Sequence, residues 1–200
     1  MWILDPYIQL CATPHVACAF LMVIRAWDPV SDSTPPCRSF LRHEVIRYSA
    51  ASGKFLGVAA SGPELVGPED VVCFNGDILV TSHDTDTINR YGALGEFLGV
   101  WAAIEKPVGL TIGFDSNVYV ASYGTHSIVR FNGRSGQFMD IFASGGDLRG
   151  PSSLSFGTYR LLYVSSYEND RVVLYNSTAN IAVTVSRKLY GRDRDANRQR

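Results

Sequence analysis

Residues 107–143 read PVGLTIGFDSNVYVASYGTHSIVRFNGRSGQFMDIFA, and their punctuation decides the fold class. Pro107–Phe114 is an apolar segment opened by a proline. A proline is tolerated as the first residue of a strand, where no ladder donor is needed. Asp115-Ser116-Asn117 is a turn, and Val118–Ser122 is a β-branched and aromatic strand that is apolar on both faces. Tyr123–His126 turns the chain again, and Ser127–Phe131 is a third strand. Asn132–Gly136 is a hairpin loop whose last glycine can take a positive φ. Gln137–Ala143 is the fourth strand. Gly and Pro fall every few residues and β-branched residues dominate, which excludes a helical reading. Two-sided apolar strands imply a sheet sandwiched between neighbouring sheets.

The same unit recurs on both sides. Arginine precedes an aromatic at Arg47-Tyr48, Arg90-Tyr91 and Arg130-Phe131. A glycine turn and a Phe follow at Gly53/Phe55, Gly95/Phe97 and Gly136/Phe138. A proline comes next (Pro68, Pro107, Pro151), then an apolar strand ending in a hydroxyl (Ser82, Ser122, Ser166). The aromatic positions Tyr48, Tyr91, Phe131 and Tyr175 are spaced by 43, 40 and 44 residues. Four strands per repeat of this length indicate propeller blades. The fold expected is all-β: a β-propeller of four-stranded antiparallel blades, three of them clear and a degraded one ahead of them. The fourth strand of the last unit, near Ile181–Val185, is weakened. Asn180 replaces its turn glycine and Ala182 its Phe.

Upstream, Glu44–Tyr48 and Lys54–Ala60 are the third and fourth strands of the degraded blade. Pro14–Phe20 and Leu21–Trp27 are expected as its first two, with Asp28–His43 an inserted loop. The domain division is therefore a divergent segment 1–43, blades over 44–186, and a basic, disordered tail 187–200. Three blades, or four, are few for a closed ring. A piece of a larger propeller is favoured over assembly with another chain or a tight four-blade ring. Open blade edges would permit self-association.

The formal charge is −1, from 18 basic and 19 acidic residues in a chain of 200, so no overall field favours nucleic acid or anionic membrane. The run Val16–Ile24 is too short to span a bilayer and lacks a basic flank, so neither a transmembrane helix nor a signal peptide is recognised. The compartment is left open. Of four cysteines, Cys73 reads as a buried thiol in a strand. Cys11, Cys18 and Cys37 crowd the N-terminal part, where one disulfide could form. No zinc spacing occurs.

The pattern Pro-x-Gly-Leu-x-Ile-Gly-Phe-Asp-x-Asn-Val-Tyr-Val-Ala-Ser, followed by Ile-Val-Arg-Phe-Asn and Gly-Gln-Phe, resembles the NHL-repeat propellers. More broadly it resembles the six-bladed superfamily that includes gluconolactonase-like enzymes and streptogramin lyases. The resemblance covers roughly residues 44–176. It implies blade architecture and, for most such propellers, a binding platform for protein, RNA or carbohydrate. One departure is clear: the acidic residue often found after the second strand is replaced by His83, Tyr123 and Tyr167.

Strand direction alternates, so the loop before each first strand and the loop between the second and third share one end of the propeller. Ligand sites concentrate in such loops. The candidate rim comprises Glu69, Asp70, His83, Asp84, Asp86, Tyr123, His126, Tyr167, Glu168, Asn169 and Asp170. The reading expected is a non-catalytic binding module for a protein or other polymer, with no cofactor. The alternative is a metal-dependent hydrolase or lyase of the gluconolactonase or streptogramin-lyase type, incomplete in this chain, with missing blades supplying the other ligands. There Glu69 and Asp70 would contribute to a calcium cage and His83 would act as base. No complete cage can be assembled, and no catalytic residue is assigned. His83 and His126 read first as loop hydrogen-bonders, and Arg47, Arg90 and Arg130 as braces repeated once per blade.

Overall fold

The structure is a computed structural model. It describes residues 43–49 and 51–177 throughout, and three further strands, 8–13, 16–25 and 181–183, by their backbone pairing. The expected loop 28–42, the tail 187–200, Cys37 and Asn180 lie outside the described residues.

Among the described residues, sixteen strands form four antiparallel sheets, each a meander of four consecutive strands. The first sheet holds β1 (Ile8–Thr13), β2 (Val16–Arg25), β3 (Glu44–Ser49) and β4 (Phe55–Ala60). The second holds β5 (Pro68–Phe74), β6 (Asp77–Ser82), β7 (Thr87–Tyr91) and β8 (Phe97–Ala103). The third holds β9 (Pro107–Ile112), β10 (Val118–Ser122), β11 (Ser127–Phe131) and β12 (Phe138–Ser144). The fourth holds β13 (Pro151–Phe156), β14 (Leu161–Ser166), β15 (Arg171–Asn176) and the short β16 (Ile181–Val183). Among the described residues no helix is long and apolar enough to cross a membrane.

One expectation about the first sheet is corrected. Val16–Arg25 is a single ten-residue strand, not the end of one strand and the start of another. It pairs with β3 from Phe20↔Ser49 to Arg25↔Glu44 and with β1 from Ile8↔Val23 to Thr13↔Val16. The run contains no Gly, Pro or Asn at which a hairpin could turn.

Three apolar layers lie between successive blades. Val45, Leu65, Val71, Val80 and Tyr91 join the first two, and Leu79, Ile88, Leu110, Val120 and Phe131 join the second and third. Tyr119, Ile128, Leu154, Val164 and Tyr175 join the third and fourth. Buried apolar area of this kind supplies the dominant favourable term in blade stacking. Cys73 is a buried member of the first layer. The third and fourth blades approach so closely that a Cβ on Gly109 would lie 2.7 Å from the Ser152 carbonyl oxygen and 3.0 Å from Ser153 Cα.

The repeated aromatics have a shared role. Tyr48 faces Phe55, Tyr91 faces Phe97 and Phe131 faces Phe138, with ring centroids 5.8, 5.4 and 6.3 Å apart. Each pair closes the hairpin to the outer strand with edge-on or tilted geometry, which the ring quadrupoles favour. In the last blade Tyr175 opposes Ala182, so this pair is lost. Each longer outer strand also carries two register shifts, and the one beside the aromatic pair skips Leu56, Leu98 or Met139. Such bulges twist an edge and disfavour further strand pairing. Arg47 donates to the Ala93 carbonyl of the next blade, whereas Arg90 holds Asp77 and Arg130 holds Asp140 within their own blades.

Candidate functional site

Each rim loop is stapled to its own blade by the hydroxyl that ends the second strand. Ser82 Oγ accepts the Val66 N–H at 2.8 Å and lies 3.0 Å from the Val66 carbonyl oxygen, to which it donates. Ser166 Oγ accepts the Arg149 N–H at 2.7 Å and lies 2.9 Å from the Asp147 carbonyl oxygen. Ser122 Oγ donates to the Glu105 carbonyl oxygen at 2.6 Å. All three serines are buried. Backbone bonds repeat the lock: the N–H groups of His83, Tyr123 and Tyr167 donate to the carbonyls of Gly67, Lys106 and Gly150. The loops are thus held as a rigid rim.

A second lock runs between blades. His43 Nδ1 accepts the Gly67 N–H at 3.0 Å, Asp86 Oδ1 the Lys106 N–H at 2.8 Å, and His126 Nδ1 the Gly150 N–H at 2.9 Å. Each acceptor directly precedes a third strand, and each donor directly precedes the proline of the next blade. Asp86 and His126 occupy the left-handed region, with φ of 57° and 52°. Lys106 does so too, at 45°, where Gly67 and Gly150 are its counterparts. His43, Lys106 and Gly150 were not singled out from the sequence. The signal was available, because His43, Asp86, His126 and Asp170 share the 43, 40 and 44 spacing of the aromatics.

The expected rim residues separate into distinct environments. Asp70 leaves the rim altogether. Its carboxylate is half-buried between blades, with Oδ2 accepting the Leu110 N–H and Oδ1 the Val71 N–H, both at 2.8 Å. Burial pushes its carboxyl up to about 7, opposed by those two amide bonds and reinforced slightly by the charge of Glu69. Asp70 is therefore a blade-to-blade staple. Glu69, the next residue back, is half-buried and remains on the rim. Desolvation raises its carboxyl, the His83 charge lowers it, and Asp84 raises it.

His83 and Asp84 form a pair on the 3₁₀ turn His83–Thr85, with His83 Nδ1 2.8 Å from Asp84 Oδ1. A carboxylate only accepts, so Nδ1 carries the proton and Nε2 is left as the basic nitrogen of the neutral ring. Lys106 Nζ reaches the same Asp84 oxygen at 3.9 Å. The second group lies at the junction of blades three and four. Tyr123 lies beside Glu168, whose carboxylate is the first cause raising its phenol above the ordinary range. The Tyr123 and His126 ring centroids are 6.3 Å apart. Tyr167 stands 70% exposed beside them. Asn169 is committed to the rim lock through the Asp147 carbonyl oxygen. Asp170, at φ 55°, is exposed.

Among the described residues no group of three or more His, Cys, Asp or Glu is placed to share a metal ion. Asp70 has both oxygens committed to backbone amides.

Superposition on solved structures agrees with the four stacked sheets. A catalytically inactive histidine-to-alanine variant of virginiamycin B lyase from Staphylococcus aureus with quinupristin matches at a TM-score of 0.62 and 10% identity. The match covers 88% of this chain and 53% of that one. A chain of the nidogen/laminin complex matches at a TM-score of 0.65 and 15% identity, over 83% of this chain and 58% of that one. The fold is a β-propeller. The present propeller chain spans a little over half the length of these two structures. No family model matches it, and no curated protein matches it.

Proposed function

We propose that this chain is an NHL-type propeller binding module without catalysis of its own, its contact face the rim loops 82–87, 122–127 and 166–171. The observation that carries this reading is the double lock on those loops. Buried serine hydroxyls and backbone amides hold them rigid while Tyr167, His83, Asp84 and Glu168 present polar and aromatic groups outward. Pre-ordered loops lose little entropy on binding, and an exposed Tyr adds contact area at small rotamer cost. The ligand is a protein or another polymer long enough to cross two blade junctions. The nidogen/laminin match supports a macromolecular partner for a propeller of this shape.

A second reading is favoured by one observation, the His83–Asp84 pair with Nε2 free to act as a base, together with the similarity to a lyase. It is a lyase or hydrolase acting on lactone-type bonds, incomplete in this chain. Two measurements separate the readings. In a screen of immobilised proteins and glycans, binding is expected to be lost in Tyr167→Ala and kept in Val100→Ala on an outer strand. Turnover of a lactone or a cyclic depsipeptide by the purified chain, abolished by His83→Ala, would replace the first reading with the second.

A further inference from the structure

We propose that the end of the propeller away from the rim loops carries a second binding site, a platform of aromatic rings and one arginine that takes a uronate-bearing glycan. The proposal is independent of what the rim binds. It starts from a strained turn. The hairpin between β13 and β14 holds two consecutive left-handed residues, Tyr159 at φ 60° and Arg160 at φ 58°, and neither is glycine. The fold does not ask for this pair. The second blade turns the same corner with Asn75 and Gly76, and the third with a single left-handed residue, Ser116. Glycine and asparagine adopt that conformation readily, whereas a large side chain crowds the backbone there. Ser177 holds the turn in place, its N–H and its hydroxyl both donating to the Arg160 carbonyl oxygen, at 3.2 and 2.8 Å. Strain kept where a less strained residue would serve the fold points to function.

What the turn delivers is a surface. Tyr159 stands 90% exposed. Arg160 lays its guanidinium over Phe114, 5.6 Å from the ring centroid. Phe114 is itself 57% exposed and meets Phe156 edge-on, with centroids 5.5 Å apart. The ring of Tyr163 reaches Gly157 in the same hairpin, where a Cβ would lie 2.6 Å from Tyr163 Cε2. These rings and the guanidinium gather at one corner of the third and fourth blades.

The chemistry of the corner selects its ligand. A guanidinium stacked flat on a ring keeps its N–H edge free, and that edge fits a carboxylate through two parallel bonds. Among the described residues Arg160 makes no ion pair. Asp115, next to Phe114, is already held by Arg130. The exposed rings turn negative faces outward, which attract the polarised C–H groups on the flat side of a pyranose. A uronic acid carries the carboxylate and the C–H face on one ring. Nucleic acid fits less well, because several cations along its phosphates hold it and here one guanidinium serves. An acidic peptide supplies the carboxylate without the sugar face.

Isothermal titration of the full chain with oligogalacturonate, hyaluronan and alginate oligosaccharides is the test. At least one should bind, and its neutral methyl ester should bind at least about tenfold more weakly. Arg160→Gln should weaken the acidic glycan by a similar factor. Tyr159→Gly should abolish binding while leaving the melting temperature unchanged or higher, because glycine relieves the turn. A purely structural Tyr159 would not give that pair of results. Failure of all three glycans to bind overturns the proposal. So does tighter binding of polyglutamate at equal charge, or glycan binding indifferent to both substitutions.

Discussion

Asp70→Asn should convert a pH-sensitive junction into an insensitive one. The carboxyl of Asp70 stands at about 7 in the folded chain against an ordinary value of 3.8, because burial between the blades penalises its charge. Between those values the folded chain holds a proton that the unfolded chain has released. Raising the pH therefore favours unfolding: the stabilisation is complete at low pH and is lost as pH rises through about 7. A gap of about three pH units at about 1.4 kcal/mol each comes to about 4 kcal/mol, about 3 of it between pH 5 and pH 8. Asparagine has one acceptor oxygen, so one of the Leu110 and Val71 amides loses its partner at a cost of about 1–3 kcal/mol. The variant should thus be the weaker protein near pH 5 and should match or exceed the wild type near pH 8. Glu69 is raised in the same direction in both proteins and largely cancels in the difference. Urea unfolding followed by tryptophan fluorescence at several pH values reads this out. Parallel pH profiles for the two proteins would refute the reasoning.

Lys106→Gly should stabilise the chain by up to about 1 kcal/mol, since a lysine at φ 45° bears a left-handed strain that glycine does not. A lower melting temperature would contradict it. Gly109→Ala pushes a methyl group onto the backbone of Ser152 and Ser153 and should cost about 1–3 kcal/mol in denaturant titration. Ser166→Ala leaves the Arg149 amide and the Asp147 carbonyl, whose bonds are part-buried, without their hydroxyl partner. A loss of about 1–3 kcal/mol is expected, together with faster hydrogen exchange in the 166–171 loop.

The sequence carried the blades clearly because their marks are local. Pro68, Pro107 and Pro151 open strands, glycines turn hairpins, and Tyr91 or Phe131 meets a Phe only a few residues on. The first blade was read less well. Val16–Ile24 is uniformly apolar, and periodicity alone gives no place to cut or join such a run. The rim was legible as a set of loops but not as a set of roles. Asp70 and Glu69 are adjacent in the chain, yet one is consumed by the Leu110 amide forty residues away and the other stays at the surface. That difference follows from blade contact, which no local pattern records. His126 shows the intermediate case. Its structural use was foreseen, whereas its partner Gly150 required the geometry of the next blade.

In every inter-blade lock the acceptor lies earlier in the chain than the amide it receives. His43 precedes Gly67, Asp86 precedes Lys106 and His126 precedes Gly150. A nascent polypeptide leaving the ribosome would therefore meet each latch already in place, and growth could proceed vectorially, one sheet templating its successor. A circular permutation opened within one junction would put that junction's donor ahead of its acceptor, leaving the final contact intact but removing the template from the path by which it forms.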